Sequence, residues 1–190
     1  VQEKRTGDGP YQSDWSYDRV GNRLTQVHKE GNAAPVTTIY AYDAGDEMLS
    51  ETSPAGNVAY AYDLNGNTTS RASAAGLETY SYDFEDRLVG YAKPGTVASY
   101  EFNGDGQRIA KTVNGATTRT LYDADGLGAD ALADYTSVGV LVASYNTPFL
   151  DQNVSQVVGG ATYFYQHDSP GRSVVHLLDA AQAVQNVYEY

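Results

Sequence analysis

Polar and apolar residues alternate with a period of two in short runs, and clusters of Gly, Asn, Asp and Pro separate the runs. "YAYD" at 40–43 and 60–63, and "YSYD" at 80–83, put an aromatic at every second position, the pattern of a half-buried β-strand. "RVGN", "LNGN" and "NGDG" follow such runs with Gly and Asn, which tolerate positive φ in a tight turn. A second strand comes next, as in "RLTQV", "RLVGYA" and "RIAKTV", and "SPAGN", "SAAGL" or "KPGT" turns the chain back. The prediction is all-β: an antiparallel strip that grows by one hairpin per repeat. No run predicts a helix; "LLDAAQAVQ" comes nearest, between flanks that read as strands.

The runs recur at a fixed distance. An aromatic followed by an acid or amide stands at Tyr42-Asp43, Tyr62-Asp63, Tyr82-Asp83, Phe102-Asn103 and Tyr122-Asp123, every twenty residues. Tyr40, Tyr60, Tyr80 and Tyr100 lie two residues upstream in four of these five copies. An earlier copy, Tyr17-Asp18, precedes the next by 25 residues, with "GNAAP" as the additional length. By the period of two, Tyr80 and Tyr82 share a face, and equivalent tyrosines of neighbouring units are expected side by side. Arg87-Leu88 returns as Arg108-Ile109, one position late. After Asp123 the phrase is lost until Tyr163-Phe-Tyr165. This divides the chain into regular repeats at 1–123, two degenerate repeats with an inserted loop at 124–162, and a distinct closing segment at 163–190.

Composition sharpens this picture. Seventeen tyrosines against four phenylalanines and one tryptophan suit a broad, half-wet β surface, because each buried Tyr hydroxyl needs a partner. The net charge of -12 offers no basic stripe for nucleic acid and disfavours anionic membranes. "VGVLVA", the longest apolar run, is far short of the ~20 residues that span a bilayer, so membrane insertion is not expected. The absence of cysteine excludes disulfides and thiolate metal sites.

The "YDxxGN" phrases at 17–24 and 62–67, with looser copies at 42, 82, 102 and 122, resemble the YD repeats of the Rhs family, which the C component of Tc toxins and teneurins share. The closing segment is similar to the start of the Rhs-associated core through Tyr165, Asp168, Gly171, Leu178-Asp179, Val187, Tyr188 and Tyr190. It departs from that pattern at Pro170-Gly171-Arg172-Ser173 and at "AAQA". The resemblance implies a β strip spiralling into a hollow shell around a C-terminal toxin in bacterial members, on a secreted or surface-exposed protein. It also implies an aspartic self-cleavage site built from "DPxG"-like phrases farther downstream. The sequence stops before any such phrase, so this segment is expected to lack the self-protease.

Several residues invite chemistry. Asp43, Asp63, Asp83 and Asp123 could pair as catalytic carboxylates, yet their recurrence at one turn position favours hairpin capping through local N–H groups. "DLNGN" at 63–67, "NGDG" at 103–106 and "DADG" at 123–126 offer oxygens for calcium, but none completes a twelve-residue calcium loop. No cofactor is expected otherwise. His28, His167 and His176 lack metal-pair spacing, and Ser173 and Asp168 near His167 are close only in sequence. Asn67 and Asn153 head glycan sequons. The tyrosines could stack on sugars or on one another, and regular alternation favours the latter. The expectation is a non-catalytic shell segment whose partners are the rest of its shell and an enclosed effector. An adhesion or glycan-binding module and a polymer joined through exposed strand edges are the alternatives.

Overall fold

The computed structural model describes residues 2–5, 11–123, 130–146, 154–168 and 173–188. Every regular element among them is a β-strand. They fall in two compact units, Val1–Val97 and Ala98–Tyr190.

The first unit runs through β1 (Gln2–Arg5), β2 (Tyr11–Tyr17), β3 (Arg23–Glu30), β4 (Val36–Tyr42), β5 (Met48–Ser53), β6 (Gly56–Tyr62), β7 (Thr68–Ser73), β8 (Gly76–Tyr82) and β9 (Leu88–Lys93). Each strand pairs antiparallel with the next. The second unit holds β10 (Thr96–Phe102), β11 (Arg108–Val113), β12 (Ala116–Tyr122), β13 (Ala131–Thr136), β14 (Leu141–Asn146), β15 (Ser155–Val158), β16 (Ala161–His167), β17 (Val174–Asp179) and β18 (Val184–Val187), again paired in chain order. "LLDAAQAVQ" is strand, turn and strand. Much of the expected inserted loop, 124–129 and 147–153, lies outside the described residues, as do Asn153, Gly171 and Tyr190.

Two kinds of turn alternate in the regular unit. The aromatic-acid phrase ends β2, β4, β6 and β8, and its turns line one edge. Short turns such as Pro54-Ala55 and Ala74-Ala75 line the other. A bulge recurs beside the second aromatic: Ala41 faces Ser50 but Tyr42 faces Met48, leaving Leu49 over. The same step occurs at Tyr62 and Tyr82 in the first unit, and at Phe102 and Tyr122 in the second. A bulge adds local twist and re-aims the side chain beside it.

The tyrosines of the phrase share one half-buried face, while Ala41, Ala61 and Ser81 between them are exposed. The expectation that equivalent tyrosines stand side by side does not hold. Tyr60 faces Arg71, and Arg71 in turn faces Glu78, so β7 separates Tyr60 from Tyr80. Each unit supplies two strands and the phrase occupies only one, which sets equivalents about 10 Å apart.

Buried residues are few. Among the described residues, Tyr40 and Ser13 are the covered positions of the first unit; Ala98, Ala110, Ala133, Ala143 and Leu177 are those of the second. Ala110 shows how small residues become covered in one sheet. Its ladder neighbours are Glu101 and Arg119, and their side chains form a 3.8 Å ion pair.

Candidate functional site

From Asp18 to Asn103 the side-chain oxygen of each phrase is consumed by its own turn. Asp18 Oδ1 accepts the N–H groups of Val20, Gly21 and Asn22 at 2.8–3.0 Å. Asp43 takes those of Gly45 and Glu47, Asp63 those of Asn65 and Asn67, and Asp83 those of Glu85 and Arg87. Asn103 does the same with Asp105 and Gln107. Partial desolvation works against the charge of Asp18, Asp63 and Asp83, but these donors outweigh it and hold all three below the usual carboxylate range. Asp83 gains further from Arg87, whose Nε donates to Oδ2 at 2.7 Å. The late arginine is thereby explained. Gln107 occupies the place of Arg87, and Arg108 faces Phe102 as Leu88 faces Tyr82, so the period of twenty is unbroken.

Neighbouring turns are tied together, and they alternate. Asp46 and Asp86 hold φ of 64° and 59° at the position that Gly21 and Gly66 fill in the turns before them. Asn22 Nδ2 donates to Asp46 Oδ1 at 2.6 Å, and Asn67 Nδ2 to Asp86 Oδ1 at 2.7 Å. A short polar side chain makes αL tolerable, and here it also accepts the bond that joins two repeats. Asn67 Nδ2 donates to Asp63 Oδ2 as well, so the nitrogen of this sequon is engaged.

The aromatics close a different gap. The β5–β6 ladder ends at Ser50–Ala59, and two residues beyond it the Met48 carbonyl accepts the Tyr62 hydroxyl at 2.9 Å. Tyr82 donates to the Thr68 carbonyl and Tyr122 to that of Arg108, each fourteen residues back. Phe102 has no hydroxyl to offer. The first tyrosine of the phrase binds side chains instead: Tyr40 bonds Gln26 Oε1 and Tyr60 bonds Glu51 Oε1. Tyr80 and Tyr91 both donate to Glu78 Oε2 at 3.0 Å, and Arg71 pairs with Oε1 of the same carboxylate at 2.9 Å. The Tyr80 and Tyr91 rings meet at 5.3 Å. Arg23 lies 4.6 Å over the Tyr40 ring, and Arg108 5.6 Å over that of Tyr100.

Beyond Asp123 the same devices recur without the spacing. Thr136 acts as a turn acid, accepting Val140 N–H through Oγ1, with Tyr135 at the bulge before it. Asp179 takes the N–H groups of Ala181 and Ala183, and Asp168 that of Ser173. The phrase near 163 is shifted by two residues. Tyr165 donates to Gln156 nine residues back, as Tyr60 does to Glu51, so Tyr165 is the first aromatic, His167 stands at the bulge, and Tyr163 lies outside the phrase. Thr136 was illegible from spacing; Tyr before a small polar residue three positions ahead of Gly139 was the available signal.

The residues weighed for chemistry are held in local bonds. Ser173 serves the Asp168 turn, and His176 Nδ1 meets Gln166. Ser13 Oγ lies 2.7 Å from His28 Nδ1, and Ser13 is 3% exposed. Among the described residues no three acids or histidines gather where they could hold a metal ion. The calcium candidates Asp63 and Asn103 aim Oδ1 at N–H donors, and most of 123–126 lies outside the described residues.

Fold and turn chemistry define a tandem β-hairpin repeat protein. No protein-family model matches the sequence, and no curated protein matches it. Among solved structures the chain is similar to the crystal structure of TcdB2-TccC3-TEV, with 12% identity and a TM-score of 0.47 over 89% of this chain and 11% of that one. It is also similar to the crystal structure of TcdB2-TccC3-Cdc42, with 13% identity and a TM-score of 0.27 over 97% and 15%. The chain thus spans a small fraction of either one.

Proposed function

We propose that the chain is a non-catalytic wall segment of an Rhs-type β-shell, carried on an exported or surface-displayed bacterial protein and enclosing a C-terminal effector. One observation carries the reading: both halves of the Tyr-Asp phrase are spent on architecture. The acid oxygen closes the turn, and the second hydroxyl closes the ladder to the strand before. A group committed to backbone donors is a poor acid, base or nucleophile. The cargo and the closed shell come from the sequence resemblance of the YD phrases.

The test uses the longer polypeptide that carries this segment. Electron microscopy is expected to reveal hollow particles, and protease is expected to spare the C-terminal region until the particles are denatured. Solid or extended particles, or a C-terminal region cut at once, would overturn the proposal.

A glycan-binding reading has one observation in its favour, an open cleft of about 590 Å³ lined by Tyr163, Asp179 and Gln185 among others. Sugars favour an aromatic face flanked by acids and amides. Retention on a glycan array that disappears in Tyr163→Ala would support it, and no retention would remove it.

A further inference from the structure

The two edges of the regular unit differ in a way that the repeat itself does not require. On the phrase edge the turn tips carry large apolar side chains: Leu64 is 106% exposed and Phe84 89%. Neither side chain serves its own turn, which is closed by Asp63 or Asp83 and the backbone. Acids outnumber bases beside them: Asp63 adjoins Leu64, and Asp83, Glu85 and Asp86 stand near Phe84 with Arg87 pairing Asp83 and Glu85 at 2.7 Å.

The short-turn edge is the inverse. Between the turn at Ser53–Gly56 and the turn at Ser73–Ala75 is a notch of about 170 Å³, lined by Ala55, Gly56, Val58, Ser73, Ala74 and Ala75 among others. That is several times the roughly 30 Å³ share of one liquid water, room for the four carbons of a leucine side chain. No acid lines it. One interval along, Pro94 fills the corresponding space: a Cβ on Gly76 would sit 2.5 Å from Pro94 Cγ. Lys93, exposed, precedes that proline.

We propose that the phrase edge of one copy of this chain docks on the short-turn edge of a second copy, with Leu64 in the notch and Phe84 against Pro94. The spacing matches by construction, since tips and notches are both set by the two-strand repeat. Size matches too, the large tip meeting the small-residue notch. Charge matches at the neighbouring position, where Asp86 and Glu85, the latter also paired with Arg87 at 2.7 Å, meet Lys93. The contact is heterologous, so each copy keeps one free edge of each kind and association is open-ended. This goes beyond the shell reading and stands or falls apart from it.

The test is sedimentation velocity of the 190-residue chain over a wide concentration range. Mass is expected to rise with concentration, and Leu64→Asp with Phe84→Asp is expected to weaken association by roughly tenfold or more. Ala75→Arg, which fills the notch, is expected to do the same; all these positions are exposed turn residues, and unchanged circular dichroism verifies folding. The diagnostic step is mixing. The tip variant keeps its notch and the notch variant keeps its tips, so together they are expected to form one-to-one complexes that neither forms alone. A wild-type chain that stays monomeric overturns the proposal. So does association that ignores both variants, which would point to the backbone edges of the terminal strands, or a mixture that fails to pair.

Discussion

Two stretches of the chain, before and after Asp123, use one turn chemistry under two regimes of spacing. In the first, Asp18, Asp43, Asp63 and Asp83 close turns on a single edge, and a different short turn answers each on the other. In the second, turns of the acid type follow one another without that alternation: Asp168 closes β16 to β17, and Asp179 closes β17 to β18. The comparison teaches that the hairpin is specified locally, by an oxygen at the turn's first position and a bulge beside it. Periodicity is a further constraint, imposed where neighbouring turns must also bond to each other.

The largest expected effect comes from alkali. Burial pushes up the phenols of Tyr40, Tyr60, Tyr62 and Tyr80 in the first unit and of Tyr145 and Tyr165 in the second. Tyr145 is raised most, by burial and then by its bond to Asp134. A raised folded pKa means the folded chain keeps the proton after the unfolded chain has lost it. This stabilisation is fully present below the ordinary value of 10.0 and is lost as pH rises through the folded values. Phenolate absorbance and circular dichroism, followed together, are expected to change in one step, with melting of the second unit marked by Tyr145. Separate steps, with phenolate appearing in a folded chain, would refute it.

Next in size is Tyr40→Ala. Tyr40 is 8% exposed, bonds Gln26 and lies under Arg23. Its truncation is expected to lower stability by about 3 kcal/mol in urea unfolding, against almost nothing for Tyr188→Ala in the second unit.

Asp86 separates geometry from bonding. At φ 59° an alanine pays for the left-handed backbone, so Asp86→Ala is expected to cost about 1–2 kcal/mol. Asp86→Gly relieves the backbone and forfeits only the bonds from Asn65 and Asn67, so its loss is expected to be smaller. Equal losses would place the whole effect in the bond.

Tyr62→Phe removes one hydroxyl from the Met48 carbonyl and is expected to cost about 1 kcal/mol, as is Tyr122→Phe in the second unit. The smallest change is Thr136→Asp, which installs the regular acid in the irregular stretch. It is expected to shift stability by less than about 0.5 kcal/mol, whereas Thr136→Ala loses the Val140 bond and about 1 kcal/mol.

Much of the fold was legible because β alternation and turn chemistry are local. The Asp63 and Asp83 turns could be read from a few consecutive residues. What stayed hidden depends on the partner strand. Sequence periodicity counts repeats rather than strands, so it set Tyr60 beside Tyr80 when Arg71 and β7 stand between them. The fourteen-residue reach of Tyr62 to Met48 required knowing where a ladder ends. Thr136 and the shifted Tyr165 lay beyond a search for one phrase, because the turn needs an oxygen at that position and no particular residue to carry it.

The alternation of Gly66 with Asp46 and Asp86 also bears on inheritance. An Asn turn finds an acceptor in the next repeat only when an Asp turn comes next, so the copied unit is a pair of hairpin repeats. Unequal recombination that added or removed a single twenty-residue copy would set like turns together and lose the bond between repeats. Lineages of this strip should therefore lengthen and shorten in even steps.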